Sequence, residues 1–266
     1  VASQFDVHVP YGGVVPELAS RAHLAAIVPV VEEALLPLAR GFDDIDAIAV
    51  TQGPGLVGAL FVGVQAAKAL SYALEKPLVG VDHLVGHLLA VHLHREGDTR
   101  SSPEYPYVAL LASGGHTALY NVRSPFDVEM LGQTRDDAAG EAFDKCGKIM
   151  GLGYPAGPLI SKLAAEGNRK AFAFPIGLRG DGLEFSFSGL KTAVSRLVKE
   201  MGPEETKTRV CDLCASLESA IVEALVGKAM LALRERNLPG VAVCGGVSAN
   251  RHLRERMAAQ AAKQGA

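Results

Sequence analysis

Thirteen residues, DHLVGHLLAVHLH (82–94), hold four of the eight histidines of the chain. His83 and His87 stand at i and i+4, a spacing that projects both from one face of a helix. Two imidazoles so placed can share one metal ion. A zinc protease of the H-E-x-x-H type needs a glutamate beside the first histidine as general base. Leu84 occupies that position, and no acid lies between the two histidines. The protease base is therefore missing. A third metal ligand is not evident either, because His92 and His94 fall on other faces or past the helix end. The competing reading is a pair of polar helix residues near a surface.

Three glycine turns offer a second kind of chemistry: GPGLVG (53–58), SGGH (113–116) and GGVSAN (245–250). The first N–H groups of a helix lack internal partners, and the helix dipole adds positive character there. Glycine lets an anion approach that backbone. None of the three is a P-loop or a G-x-G-x-x-G fingerprint. One such turn alone would read as structural. Three in one chain, two directly after apolar strands, favour a nucleotide or phosphate site between two lobes. Cys211 and Cys214 form a lone C-x-x-C inside an apolar helical pattern, which reads as buried, reduced thiols.

The elements that must position these residues follow from apolar patterning. A helix opens at Pro16, with Glu17 in its first turn and a kink expected at Pro29. IDAIAV (45–50) reads as a buried strand, and an apolar helix follows the first glycine turn. PLVGV (77–81) is a short strand leading into the histidine helix. This alternation implies a parallel or mixed sheet. REGDTRSSPEYP (95–106) is the candidate linker. YVALLA (107–112) and HTALYNV form strands around a tight turn at Gly114 and Gly115. Helix is expected from 138 to 165 and from about 203 to 235, with an irregular loop at 177–190. A strand, a glycine turn and a helix close the chain. The boundaries expected are a first lobe at 1–104 and a second, with a helical insertion, at 105–266. Lys and Arg number 26 against 29 Asp and Glu, a net charge of −3, so a nucleic-acid partner would need a local basic patch. Arg251, Arg254, Arg256 and Lys263 could supply one, or form a solvated helix face. No uninterrupted apolar run reaches the roughly 18 residues of a membrane span. The chain starts at Val1 without a methionine and reads as a fragment.

YGGVVPELASRAH (11–23), TQGPGLVGALFVG (51–63), HLVGH, LASGGHT and DDAAGEAFDK (136–145) resemble the TsaD family, as do FSFSGLKTAV (185–194) and GGVSANRHLR (245–254). Archaeal and eukaryotic relatives of this family are the catalytic subunits of KEOPS. Motifs of this length in this order, across essentially the whole chain, are far more specific than any single glycine turn. The resemblance implies an α/β fold of the two-lobed actin/Hsp70/sugar-kinase-like (ASKHA) type, with mixed sheets flanked by helices. It implies an acyltransferase-type tRNA-modifying enzyme. Threonylcarbamoyl-AMP would donate its threonylcarbamoyl group to N6 of adenosine 37, in tRNAs reading codons that start with A, to give t6A and AMP. It also implies one divalent metal per subunit, iron(II) or zinc, TsaB-like and TsaE-like helper proteins, no membrane partner and a cytoplasmic location.

Residue by residue, the resemblance makes His83 and His87 metal ligands. It makes Leu111, Ala112, Ser113, Gly114 and Gly115 a donor-contacting stretch, and Asp144, Gly157 and Asn250 contacts to the adenosine part. Each also has a plainer reading: Asp144 could pair with Lys148 at i+4, and Asn250 could cap the last helix. Several departures stand out. The family's opening strands and its closing segment, with an aspartate as third protein ligand of the metal, have no counterpart here. Val85 stands where Glu is frequent, and Ser161 where some members carry an acid. No residue is identified as a general base. Rival readings are a small-molecule kinase of the same superfamily and a scaffold that has lost its site. The retained histidines and AFDK argue against the scaffold.

Overall fold

A computed structural model of the chain describes residues 3–11, 13–94, 97, 102–180 and 182–266. It divides into two compact units, Val1–Gly86 and His87–Ala266.

The first unit begins with a short helix, α1 (Phe5–His8), and then α2 (Pro16–Leu35). Pro16 sits in the first turn of α2, where its missing N–H costs nothing. The helix runs through Pro29 to Leu35. Strand β1 (Ile48–Gly53), helix α3 (Val57–Leu74) and strand β2 (Leu78–Asp82) follow. The two strands pair in parallel from Ile48 opposite Leu78 to Gly53 opposite Asp82. A parallel pair needs a crossover, and α3 supplies it. α3 packs on α2 and β1. By length and composition alone it could cross a membrane. That differs from the sequence expectation, because Gln65, Lys68 and Ser71 interrupt the run without making the helix polar on average. One such helix is weak evidence for a membrane.

Helix α4 (His83–Leu89) contains the point where the two units divide. This is earlier in the chain than the boundary drawn after residue 104. The reason is packing: Leu88 is fully buried, and the Tyr107 hydroxyl donates to its carbonyl at 3.2 Å. Those contacts tie the chain after Gly86 to the second unit. Half of the expected linker at 95–106 lies outside the described residues.

The second unit holds a four-stranded sheet of β3 (Tyr107–Ala112), β4 (Thr117–Ser124), β5 (Asp127–Gln133) and, late in the chain, β6 (Val241–Cys244). Their spatial order is β5-β4-β3-β6, antiparallel except for the parallel β3–β6 pair, so the sheet is mixed. β3 is buried along its whole length, as a continuous apolar run in a central strand should be. The expected helix at 138–165 is two helices, α5 (Ala139–Ile149) and α6 (Ala156–Ala164), separated at GLGYP. α7 (Ser188–Thr208) is kinked at Gly202 before Pro203. α8 (Val210–Arg236) and α9 (Arg251–Lys263) complete the unit. From Leu213 to Leu233 α8 is buried on nearly all sides, and it packs against α6, α9 and β3. A helix apolar all round belongs in a core.

The edge strand β5 is ringed by charge. Arg123 pairs with Asp127 at 2.8 Å and Glu129 at 2.9 Å, and Arg236 reaches Glu129 at 3.5 Å.

Asp136 caps α7 from fifty residues upstream. It accepts from the Phe187 and Ser188 N–H groups at 2.7 and 3.2 Å and from the Ser186 hydroxyl at 2.5 Å. Burial raises its pKa, but these hydrogen bonds outweigh burial and hold the carboxyl below its ordinary value. A depressed carboxylate stabilises the fold above its unfolded pKa, about 3.9, and that contribution is lost as pH falls through the lower folded value. Asp136→Ala should cost about 1 kcal/mol at pH 7 in urea unfolding. The gap to the parent should close as the pH is taken below about 4.

Candidate active site

The sheet of the second unit delivers several of the expected residues to one place. β3 ends at Leu111 and Ala112, both fully buried, so they support the turn from behind and offer a ligand no exposed surface. The turn that follows is closed by Ser113. Its N–H donates to the His116 carbonyl at 2.8 Å, and its Oγ accepts from the His116 N–H at 3.0 Å. The Ser113 carbonyl accepts from Gly140 N–H at 3.1 Å, and Thr117 Oγ1 accepts from Ala139 N–H at 2.8 Å. The first turn of α5 therefore rests on the glycine turn. A Cβ at Gly140 would lie 2.6 Å from the Ser113 carbonyl oxygen and 2.8 Å from the Gly114 Cα, so only glycine allows this approach. At the neighbouring strand end, Gly245 has φ +87°, and a Cβ there would collide with the Ala112 carbonyl.

A cavity of about 410 Å³ opens beside these turns, lined by Gly114, Asp144, Gly157, Ser161 and Asn250 among others. Phe143 and Pro155 give it apolar wall. Four residues singled out from the sequence thus share one cavity. Asp144 lies on α5, and its Oδ1 accepts from the Ala156 N–H at 2.7 Å, capping α6. The alternative pairing with Lys148 is not formed. Asn250 does cap α9, its Oδ1 accepting from Leu253 N–H at 2.8 Å, and it lines the cavity as well. The capping reading of Asn250 is thus observed, and the same side chain forms part of the cavity wall. Lys145, beside Asp144, is clamped by Asp137 at 2.6 Å and Glu141 at 2.8 Å. These hydrogen bonds push its pKa up to about 12, so it is no base at neutral pH.

Behind the cavity stands Glu218, a buried carboxylate from α8 that contacts Ser161, Asn250 and Arg169. The signal for it was present in sequence: an acid inside the apolar run CASLESAIVEALV must find partners if it is buried. Nearby, burial and then the Arg169 charge lower the His252 pKa against the opposing pull of Glu218.

On α4, Asp82 Oδ1 accepts from the Leu84 and Val85 N–H groups at 2.8 and 3.0 Å and starts the helix. His83 and His87 follow on it, one turn apart. Among the described residues no group of three or more His, Cys, Asp or Glu could hold a metal ion. The pair fits a metal in ligand type but supplies half of a tetrahedral set. His92 hydrogen-bonds the Tyr107 hydroxyl at 3.2 Å and stacks on Tyr105 at 4.9 Å, and His94 pairs with Ser102 at 2.6 Å.

The fold resembles that of solved proteins of the ASKHA type. Full-length HypF in its phosphate- and nucleotide-bound form superposes with a TM-score of 0.61 at 14% identity, covering 88% of this chain and 45% of that one. T. kodakarensis HypF gives 0.55 at 15% identity, covering 88% and 39%. The fold is thus of the actin/Hsp70/sugar-kinase-like type. Within that class the chain belongs to the TsaD family, described as tRNA N6-adenosine threonylcarbamoyltransferase, which matches residues 1–266. Relatives bearing that name include one from Sorangium cellulosum (strain So ce56), 54% identical and spanning all of this chain and 77% of its own length. Others come from Syntrophobacter fumaroxidans, 54% identical over 98% of the chain, and Clostridium perfringens, 48% identical over all of it, each again across 77% of the relative. The chain is a transferase by family.

The four cysteines are free. Burial pushes the thiols of Cys146, Cys214 and Cys244 up to about 12, which keeps them protonated and inert at neutral pH. Iodoacetamide at pH 8 should label only the partly exposed Cys211 of the folded chain, and all four cysteines in guanidinium, as read by mass spectrometry.

Proposed function

We propose that the chain transfers the threonylcarbamoyl group of threonylcarbamoyl-AMP to N6 of adenosine 37, in tRNAs reading codons that start with A, forming t6A. The observation that carries this reading is the single cavity that gathers Gly114, Asp144, Gly157 and Asn250. It suits the adenylate part of the donor. One Asp144 oxygen is spent on Ala156, and the other is left to accept from a ribose hydroxyl. Gly157 lets a flat ring approach the backbone.

In the transfer, the adenosine N6 lone pair attacks the carbamoyl carbon. The bond from that carbon to the phosphate oxygen breaks, AMP leaves, and N6 gives up a proton. Backbone N–H groups of the glycine turns are the candidates to stabilise charge developing on the donor. Most of the acceleration comes from holding two large substrates together. The target base sits in a flexible anticodon loop, where exposing it costs little.

His83 and His87 are proposed as two ligands of one iron(II) or zinc ion per subunit, which would supply Lewis-acid polarisation. Among the described residues no further His, Cys, Asp or Glu groups with the pair to hold a metal ion. The proposed partners are tRNA and helper proteins like TsaB and TsaE, in the cytoplasm.

The test is an anoxic incubation with iron, threonylcarbamoyl-AMP, the helper proteins and unmodified tRNA, followed by nucleoside mass spectrometry. Threonylcarbamoyladenosine should form. Asp144→Ala should reduce it about tenfold or more through loss of a charge-assisted hydrogen bond. His83→Ala should reduce both product and metal content. Phosphorylation of a small molecule from ATP, with no modified nucleoside, would overturn the reading in favour of a kinase.

A further inference from the structure

Glu218 stands behind two residues that line the cavity, Ser161 and Asn250. Its side chain is 3% exposed. Oε1 accepts from the Ser161 hydroxyl at 2.8 Å and from Asn250 Nδ2 at 2.7 Å, and Nδ2 also reaches Ser161 Oγ at 2.6 Å. The Arg169 guanidinium approaches Oε2 at 3.5 Å. On its other side the Asn250 amide oxygen is committed to Leu253 N–H.

A carboxylate only accepts hydrogen bonds. That fact orients the whole cluster. The Ser161 proton must point at Glu218, the Asn250 amino group must point at Glu218 and Ser161, and its oxygen must face α9. Ser161 Oγ gives one hydrogen bond, receives one, and keeps one lone pair. Ser161 and Asn250 both line the cavity, whereas Glu218 does not. The cavity wall at Ser161 therefore offers an acceptor and no donor. A ligand that donates there, such as a sugar hydroxyl, is satisfied; an ether or phosphate oxygen is not.

We propose that Glu218 is a positioning residue that fixes the hydrogen-bond polarity of the cavity wall through Ser161, and so selects for a hydroxyl-bearing ligand at that point. The proposal rests on the reading of the cavity as the nucleotide subsite of the donor. Without the buried acceptor, the Ser161 hydroxyl and the Asn250 amide rotate among alternatives, and the site loses its preference before it loses its shape.

The experiment is titration calorimetry of AMP, 2′-deoxy-AMP and 3′-deoxy-AMP against the parent chain, Ser161→Ala, Glu218→Met, Glu218→Gln and the double variant Ser161→Ala/Glu218→Met, with thermal melts alongside. Methionine keeps the volume and removes the acceptor; glutamine keeps an acceptor oxygen for both partners. The parent should bind AMP about tenfold more tightly than one of the deoxy analogues. Ser161→Ala and Glu218→Met should each erase that discrimination, the double variant should bind no more weakly than either single one, and Glu218→Gln should restore most of it. A merely structural glutamate would move the melting temperature and leave the discrimination intact. Additive losses in the double variant, or discrimination retained in Glu218→Met, overturn the proposal. If Glu218→Met does not fold, loss of discrimination in Ser161→Ala together with its retention in Glu218→Gln supports the proposal, and the reverse pattern overturns it. A parent chain that binds no AMP overturns the nucleotide reading itself, and Glu218 selectivity with it.

Discussion

The second unit is organised by the burial of α8. A helix enclosed from Leu213 to Leu233 by α6, α9 and β3 gives its neighbours little freedom to shift. Each large apolar side chain it removes from water is worth about 1.5–3 kcal/mol before chain entropy is counted. The same enclosure makes its two buried charged residues demanding. Lys228 Nζ donates to the Gly180 and Gly182 carbonyls at 2.9 and 2.6 Å, and Glu218 gathers Ser161, Asn250 and Arg169. Apolar burial sets where α8 lies, and the need to satisfy two charges then sets where the segments around it must come.

The cavity is a product of strand ends. β3 and β6 run in parallel, so both finish on the same edge, and each finishes in glycine-containing sequence. Gly140 lets α5 sit on one turn and Gly245 lets the other turn meet Ala112. Open α/β sheets bind ligands beyond the carboxyl ends of their strands for this reason: helix starts and loose backbone N–H groups collect there.

Much of this was legible in sequence, and the gaps have physical causes. Apolar runs mark β1, β2, β3 and β6, and YVALLA is buried throughout; β1, expected as a buried strand at 45–50, instead spans Ile48–Gly53 with none of its residues buried. β5 was missed because DVEMLGQ is a polar edge strand whose pairing depends on β4, not on its own composition. α7 begins at Ser188, well before the helix expected from about 203, since its cap comes from Asp136 and no local pattern announces it. The expected helix from about 203 overlooked the break between Thr208 and Val210. Asp144, Gly157 and Asn250, singled out by motif resemblance, line one cavity, while nothing in the motif announces the capping of α6 by Asp144. Glu218 is within reach of sequence reasoning, because an acid in an apolar helical run demands partners if it is buried. Which partners it finds is a matter of tertiary packing.

The charges on β5 bear on how this molecule meets copies of itself. An outer strand of a sheet presents unpaired N–H and C=O groups, which can recruit another strand and seed aggregation. Here that outer strand carries Asp127 and Glu129, neutralised within the molecule by Arg123 and Arg236. A second copy approaching in register would have to break those pairs, or set like charges side by side, before gaining one backbone hydrogen bond. The ion pairs contribute little to the folded state itself, being exposed. Their consequence is colloidal: they keep the open side of the sheet from becoming a template at the concentrations at which the protein is made.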